Sequence, residues 1–159
     1  CDDWEAATLP AVSAGVRVVR LRLGVVLDPA GGALARMLPL FRAGLGGRMG
    51  TGRQGMSWIA LEELCRLIDA ALADERIVGP VNAGEPAPVR NAEFVAVLGR
   101  VLRRPAVVPV PTWVVELAMG ELARETLLGS SRVEPACLRR LGFEFMPGGL
   151  EGALRRWLG

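Results

Sequence analysis

With 159 residues, 51% of them hydrophobic, the chain is long enough for one compact domain and part of a second, and too apolar to be disordered. A net charge of +2 is too small to imply a polyanionic partner, the Arg residues are scattered rather than clustered among aromatics, and no apolar run nears the ~20 residues that cross a bilayer. Neither nucleic acid nor a membrane is therefore expected, no secretory signal opens the chain, and the protein reads as cytoplasmic.

All 19 basic residues are Arg, and the chain has no His, Tyr or Lys. Ser–His and Cys–His nucleophile pairs are thus excluded within it, as are His-containing zinc sites. Cys1, Cys65 and Cys137 are widely spaced, which indicates neither a metal cluster nor a disulfide framework. Chemistry done by this chain alone would rest on carboxylates, Arg or backbone groups.

Residues 1–15 read like the middle of a helix. Val16 to Val26 is β-branched and alternates imperfectly with Arg, which predicts a strand, and Asp28-Pro-Ala-Gly-Gly32 a turn. Leu34, Met37, Leu38 and Phe41 then keep the spacing of an amphipathic helix. Six glycines fall between Gly44 and Gly55, and a short extended piece, Met56 to Ile59, follows. The next helix is predicted to bury Leu61, Leu64, Cys65, Ile68, Ala71 and Leu72, leaving Glu62 and Glu63 off that face to complement the helix dipole. Gly79 to Gly84 reads as a short strand, and Asn91 as the N-cap of a helix using Phe94, Leu98, Val101 and Leu102. Val107 to Pro111 is extended and interrupted by Pro. A helix over 112–128, a loop near Gly129, a short helix over 136–141, a brief strand over 143–145 and a final helix with Leu150, Ala153, Leu154, Trp157 and Leu158 on one side complete the chain. The alternation predicts an α/β fold with few strands and an incomplete sheet. Trp4, Trp113 and Trp157 are expected to pack, and Cys65 and Cys137 to be structural.

Gly50-Thr-Gly-Arg-Gln-Gly55 matches G-x-G-x-x-G letter for letter. A dinucleotide fingerprint needs a strand before it and a helix opening on its last glycine, and here the context is wrong on both sides. Two readings remain open. The glycines form a flexible connector, or they form a substrate-facing loop in which Arg48, Arg53 and Gln54 reach a ligand and Trp58 offers it a surface.

Several stretches carry a resemblance. Cys1-x-x-Trp4-Glu5-x-Ala7, Arg20-Leu-Arg-Leu-Gly-Val-Val-Leu27 with Gly31-Gly-Ala-Leu34, Gly52-Arg-Gln-x-Met-Ser-Trp-Ile59, Gly79-Pro-Val-Asn82, Asn91-x-Glu-Phe94, Arg104-Pro105 and Gly142-Phe-Glu-Phe145 occur in the order and spacing of a known family. In them the chain resembles the C-terminal half of an atypical extended short-chain dehydrogenase/reductase, of the NAD(P)-dependent or sugar-nucleotide epimerase family, sometimes labelled cell-division-inhibitor-like. The resemblance implies a doubly wound Rossmann-type fold whose substrate-binding side spans residues 1–105, closed by a small, mostly helical domain of unknown function over 106–159. It implies that NADP or NAD is bound chiefly by a preceding half, with Leu23, Gly24 and Val25 approaching the nicotinamide. Arg53 and Gln54 would fall where relatives contact a substrate's phosphate or sugar.

Two departures accompany it. Counting back from Glu5 puts Cys1 where family members carry the Lys of a Tyr-x-x-x-Lys pair, and Ala60 stands where they carry a His. The resemblance therefore implies the substrate-binding half of an NAD(P)-dependent epimerase or oxidoreductase, inactive as this piece and containing no catalytic residue of its own. The alternative is a nonenzymatic NAD(P)-sensing or protein-interaction module on the same fold. The open sheet further predicts a homodimer or strand exchange.

Overall fold

A computed structural model of the chain describes residues 2–110 and 133–159. The predicted helix over 112–128, the loop after it, Trp113 and Cys1 lie outside the described residues. Two short helices, α1 (Asp2–Ala6) and α2 (Leu9–Ser13), lead into β1 (Val19–Leu23) and β2 (Val25–Leu27). There follow α3 (Gly32–Arg42), β3 (Gly55–Met56), β4 (Trp58–Ala60), α4 (Leu61–Ala73), β5 (Gly79–Ala83), β6 (Val89–Arg90) and α5 (Asn91–Leu102). The last helices are α6 (Ala136–Arg140) and α7 (Gly149–Leu158). The brief strand expected at 143–145 does not form; Phe143 and Phe145 instead meet edge to face, ring centres 5.0 Å apart.

The single strand expected from Val16 to Val26 begins at Val19 and is divided at Gly24. Up to Leu23 it pairs in parallel with β5, and from Val25 it pairs in parallel with β4. The exchange of partner happens at two successive amides: Gly24 donates to Ala83 O at 3.0 Å and Val25 to Ser57 O at 2.8 Å. A Cβ on Gly24 would lie 2.8 Å from Ser57 O, so glycine is what lets the incoming strand come this close.

The β4 strand separates two apolar clusters. Trp58 and Ala60 belong to the larger one, with Leu34, Met37, Leu38 and Phe41 of α3, Phe94, Val95 and Leu98 of α5, and Leu150 and Leu154 of α7. Ile59, on the opposite face of the strand, joins Leu64, Leu67 and Ala71 of α4, Val81 and Ala83 of β5, and Leu138 of α6. The α3 stripe is the one the 3.6-residue spacing predicts.

The α4 stripe is not. Glu63, Leu64, Leu67 and Ala71 are buried, whereas Leu61, Ile68 and Leu72 are 40%, 40% and 72% exposed, and Cys65 is exposed too. The helix carries two apolar stripes, and the sheet covers the one containing Leu67. Between the other stripe and β1 runs a groove of about 260 Å³ floored by Val19, Leu21, Ile68 and Leu72. Trp4 likewise stands out, 87% exposed, where packing was expected.

Candidate functional site

The parallel strands β1 and β5 end together, with Leu23 opposite Ala83. In open α/β sheets this end of the strands is where ligands collect. Leu23 is 55% exposed there, Gly24 presents no side chain, and Val25 turns back into the pairing with Trp58. Among the described residues no strand–glycine loop–helix unit of the pyrophosphate-binding kind occurs.

The glycine-rich loop is ordered rather than free. Val110 donates to Arg48 O at 3.0 Å and Gly50 to Val110 O at 3.4 Å, and Met49 bridges Val110 in parallel. A Cβ on Gly47 would sit 1.5 Å from Val108 O, so only glycine permits this approach. On its other side the loop meets the start of α5. Asn91 and Ala92 donate their amides to Gln54 O and Gly52 O, each at 3.0 Å, and the Asn91 Oδ1 accepts from Met49 N at 2.9 Å. Asn91, expected as an N-cap, is instead the first helical residue, and its side chain serves the loop. Loop carbonyls thus occupy amides that a helix start leaves unpaired.

Of the residues singled out from sequence, Arg48 and Arg53 are exposed on this loop. The Arg48 side chain crosses Gly52, where an added Cβ would lie 3.3 Å from its own Cβ. Gln54 faces inward and donates from Nε2 to Met49 O at 3.0 Å, helping to close the loop. Trp58 is 1% exposed and lies in the same cluster as Met49, with its backbone beside Val25. The structure therefore brings Trp58 to Leu23–Val25 and to the foot of the loop, and leaves the two guanidinium groups at the surface.

Several polar side chains make tertiary contacts that sequence reasoning did not anticipate. The Ser57 Oγ accepts from Val133 N at 2.7 Å, and Asn82 donates to Glu134 O at 3.0 Å, so both hold the returning chain. Glu63, fully buried, accepts from Arg66 at 3.0 Å and from Met146 N at 3.2 Å, while Glu62 accepts from the Trp157 indole at 3.0 Å. The acidic pair at the start of α4 thus tethers the C-terminal segment. Glu85, directly after β5, is 7% exposed. Burial, and then the neighbouring Glu63, push its carboxyl up to about 7, with Arg156 opposing. The only available signal for Glu85 was its place in the loop Gly84-Glu-Pro-Ala-Pro88, which composition alone marks as a turn.

Comparison with known proteins places this arrangement. A family model described as a domain of unknown function (DUF1731) matches residues 110–157. An epimerase family protein of Mycobacterium tuberculosis is 52% identical over 145 residues, which are 91% of this chain and 48% of that protein. The human epimerase family protein SDR39U1, whose crystal structure contains NADPH, superposes with a TM-score of 0.83 at 35% identity, covering 90% of this chain and 48% of that one. A nucleoside-diphosphate sugar epimerase from Corynebacterium glutamicum superposes with a TM-score of 0.74 at 36% identity, over 100% of this chain and 30% of that one. The chain spans about half the length of the curated relatives it matches. In sequence and in fold it belongs with the epimerase family proteins, as the counterpart of the C-terminal half of their extended short-chain dehydrogenase/reductase fold.

Proposed function

We propose that this chain forms the substrate-facing half of an NAD(P)-linked epimerase or oxidoreductase, with residues 1–105 on the cofactor domain's substrate side and 106–159 as a closing domain. The observation that carries the reading is the pair of exposed guanidinium groups, Arg48 and Arg53, raised on one glycine-rich loop. Arg presents a planar fork suited to phosphate, so the expected substrate is a small molecule carrying phosphate or sugar phosphate, such as a sugar nucleotide.

The described residues suit only one end of a nicotinamide cofactor. Exposed Leu23 and side-chain-free Gly24 offer a flat apolar edge to a nicotinamide ring, while the pyrophosphate would be held elsewhere in the protein. A nicotinamide supplies hydride transfer; Leu23, Gly24 and Val25 would orient its ring.

Calorimetry on the full-length protein tests both parts. NADPH or NADH should bind, and Arg48→Ala with Arg53→Ala should weaken a uridine diphosphate sugar roughly ten-fold or more while leaving the dinucleotide's affinity unchanged. Absence of dinucleotide binding defeats the reading, and an unchanged sugar-nucleotide affinity removes the role of the loop.

A second reading, a sensing or interaction module that binds the cofactor without turnover, draws on the absence of His, Tyr and Lys and on Ala60, buried at the end of β4. Sustained NADPH consumption with a carbonyl substrate rules it out. In either case the exposed stripe of α4 beside β1 favours self-association, which light scattering measures.

A further inference from the structure

A cavity of about 370 Å³ opens between α5 and α7, at the small end of the range for small-molecule clefts, about 300–1,000 Å³. Arg48, Arg53 and Leu23 do not line it; Val89, Val97 and Leu150 give it an apolar wall. Its charged side chains are Glu85, Glu93, Glu151 and Arg100. Arg100 and Glu151 satisfy each other at 2.9 Å, and Arg155 adds a second guanidinium to the same carboxylate at 2.7 Å. What remains is acidic: Glu93 on the exposed side of α5, and Glu85 inside.

Glu85 is the unusual member. It is 7% exposed, and among the described residues no hydrogen bond reaches its carboxyl; only its amide is engaged, donating to Trp58 O at 2.7 Å. Its carboxyl oxygens are not sealed off, in contrast to the indole N–H of Trp58. The charges that act on it are the buried Glu63, which repels a second negative charge, and Arg156, which offsets burial only in part. Together these leave the carboxyl raised to about 7. A buried carboxyl ordinarily gathers donors or a counter-charge, and the open side of this one is the cavity.

A cation answers these features. An anion would meet three carboxylates against one guanidinium that is already paired. A neutral hydroxyl would bring a hydrogen bond without the counter-charge. A bare metal ion is unsuited, because among the described residues no three such ligands converge to hold one. A primary ammonium carries three donors on a compact charge, and an alkyl chain attached to it suits the apolar wall.

We propose that this cavity binds a small primary alkylamine in its ammonium form, the charged nitrogen on the Glu85 carboxylate and the alkyl chain along Val89, Val97 and Leu150. The inference goes beyond the proposed function and does not rest on it. Calorimetry on the full-length protein with n-butylamine tests it. Saturable binding is expected, with n-butanol and butyrate weaker by roughly ten-fold or more. Because binding fixes Glu85 as a carboxylate, protons should be released at pH 7, seen as a dependence of the heat on the buffer's ionisation enthalpy. None should be released at pH 9, where the carboxyl is already ionised and an amine resembling that of Lys, which titrates at about 10.4, is still charged. Glu85→Gln should weaken n-butylamine roughly ten-fold or more. Ala96→Phe, which keeps the carboxyl but fills the cavity from the exposed side of α5, should do the same with the melting temperature unchanged. Ala87→Phe takes its place if Ala96→Phe melts early. No saturable heat, equal binding of n-butanol or butyrate, no proton release at pH 7, or an unchanged affinity in Glu85→Gln or in the cavity-filling variant would each overturn the proposal.

Discussion

The two faces of β4 end in very different ways. Beyond Trp58 and Ala60 the apolar cluster is closed by three helices, α3, α5 and α7, each giving it a continuous stripe. Beyond Ile59 the cluster is met by the inner side of α4 and by Leu138 of the short α6, and the outer side of α4 shows Leu61, Ile68 and Leu72 to the surroundings beside an apolar groove. Both regions draw on the same composition, so apolar content alone does not say which side chains are core. Closure depends on whether a second element lies opposite. Among the described residues the first region is faced by helices, whereas the outer stripe of α4 borders a groove beside β1.

The largest expected effect is in the closed region. Trp58→Ala should lower stability by about 3–5 kcal/mol, read from chemical denaturation, because the surrounding helices relax only partly into the space left by the indole. A cost below about 1 kcal/mol would mean that the region is loosely packed and the contrast false. At the seam between the regions, Glu85 gives a smaller effect with a definite sign. Its carboxyl, raised to about 7 from the ordinary 4.5, holds a proton more tightly in the folded state. That contribution is therefore fully present below about pH 4.5 and lost as pH rises to about 7. The carboxyl is not wholly sealed, at 7% exposed, and screening leaves about 1–2 kcal/mol of this. Glu85→Gln should remove this fall and be the more stable form at pH 8, as denaturation at pH 5 and pH 8 would measure. The smallest effect belongs to the open region. Leu72→Ala should change stability by no more than about 0.5 kcal/mol in dilute solution. A cost that grows with protein concentration would show the stripe to be covered by a second copy.

Much of the fold was legible in sequence. The stripe Leu34, Met37, Leu38, Phe41 predicted α3 because one face only is apolar, and Leu150, Ala153, Leu154 did the same for the last helix. In α4 the periodicity was ambiguous: Leu64, Leu67 and Ala71 interleave with Leu61, Ile68 and Leu72, and only the position of the sheet selects between them. Burial of Glu63 was invisible because its partners, Arg66 and the Met146 amide, come together only through tertiary structure. At the candidate site, residue types marked Arg48, Arg53 and Gln54 equally. Yet Gln54 spends its amide on the loop backbone, a distinction that rests on a turn geometry no spacing rule encodes.

The attachment of the glycine-rich loop to α5 and to residues 108–110 bears on binding thermodynamics. Six glycines would ordinarily impose a heavy conformational penalty on any ligand that had to order them. Here amides of Asn91, Ala92 and Val110 fix that backbone beforehand. An anion reaching Arg48 and Arg53 would then have only two side chains to immobilise, about 0.5–1.5 kcal/mol each, so affinity should track the electrostatics of the two guanidinium groups and decline with added salt.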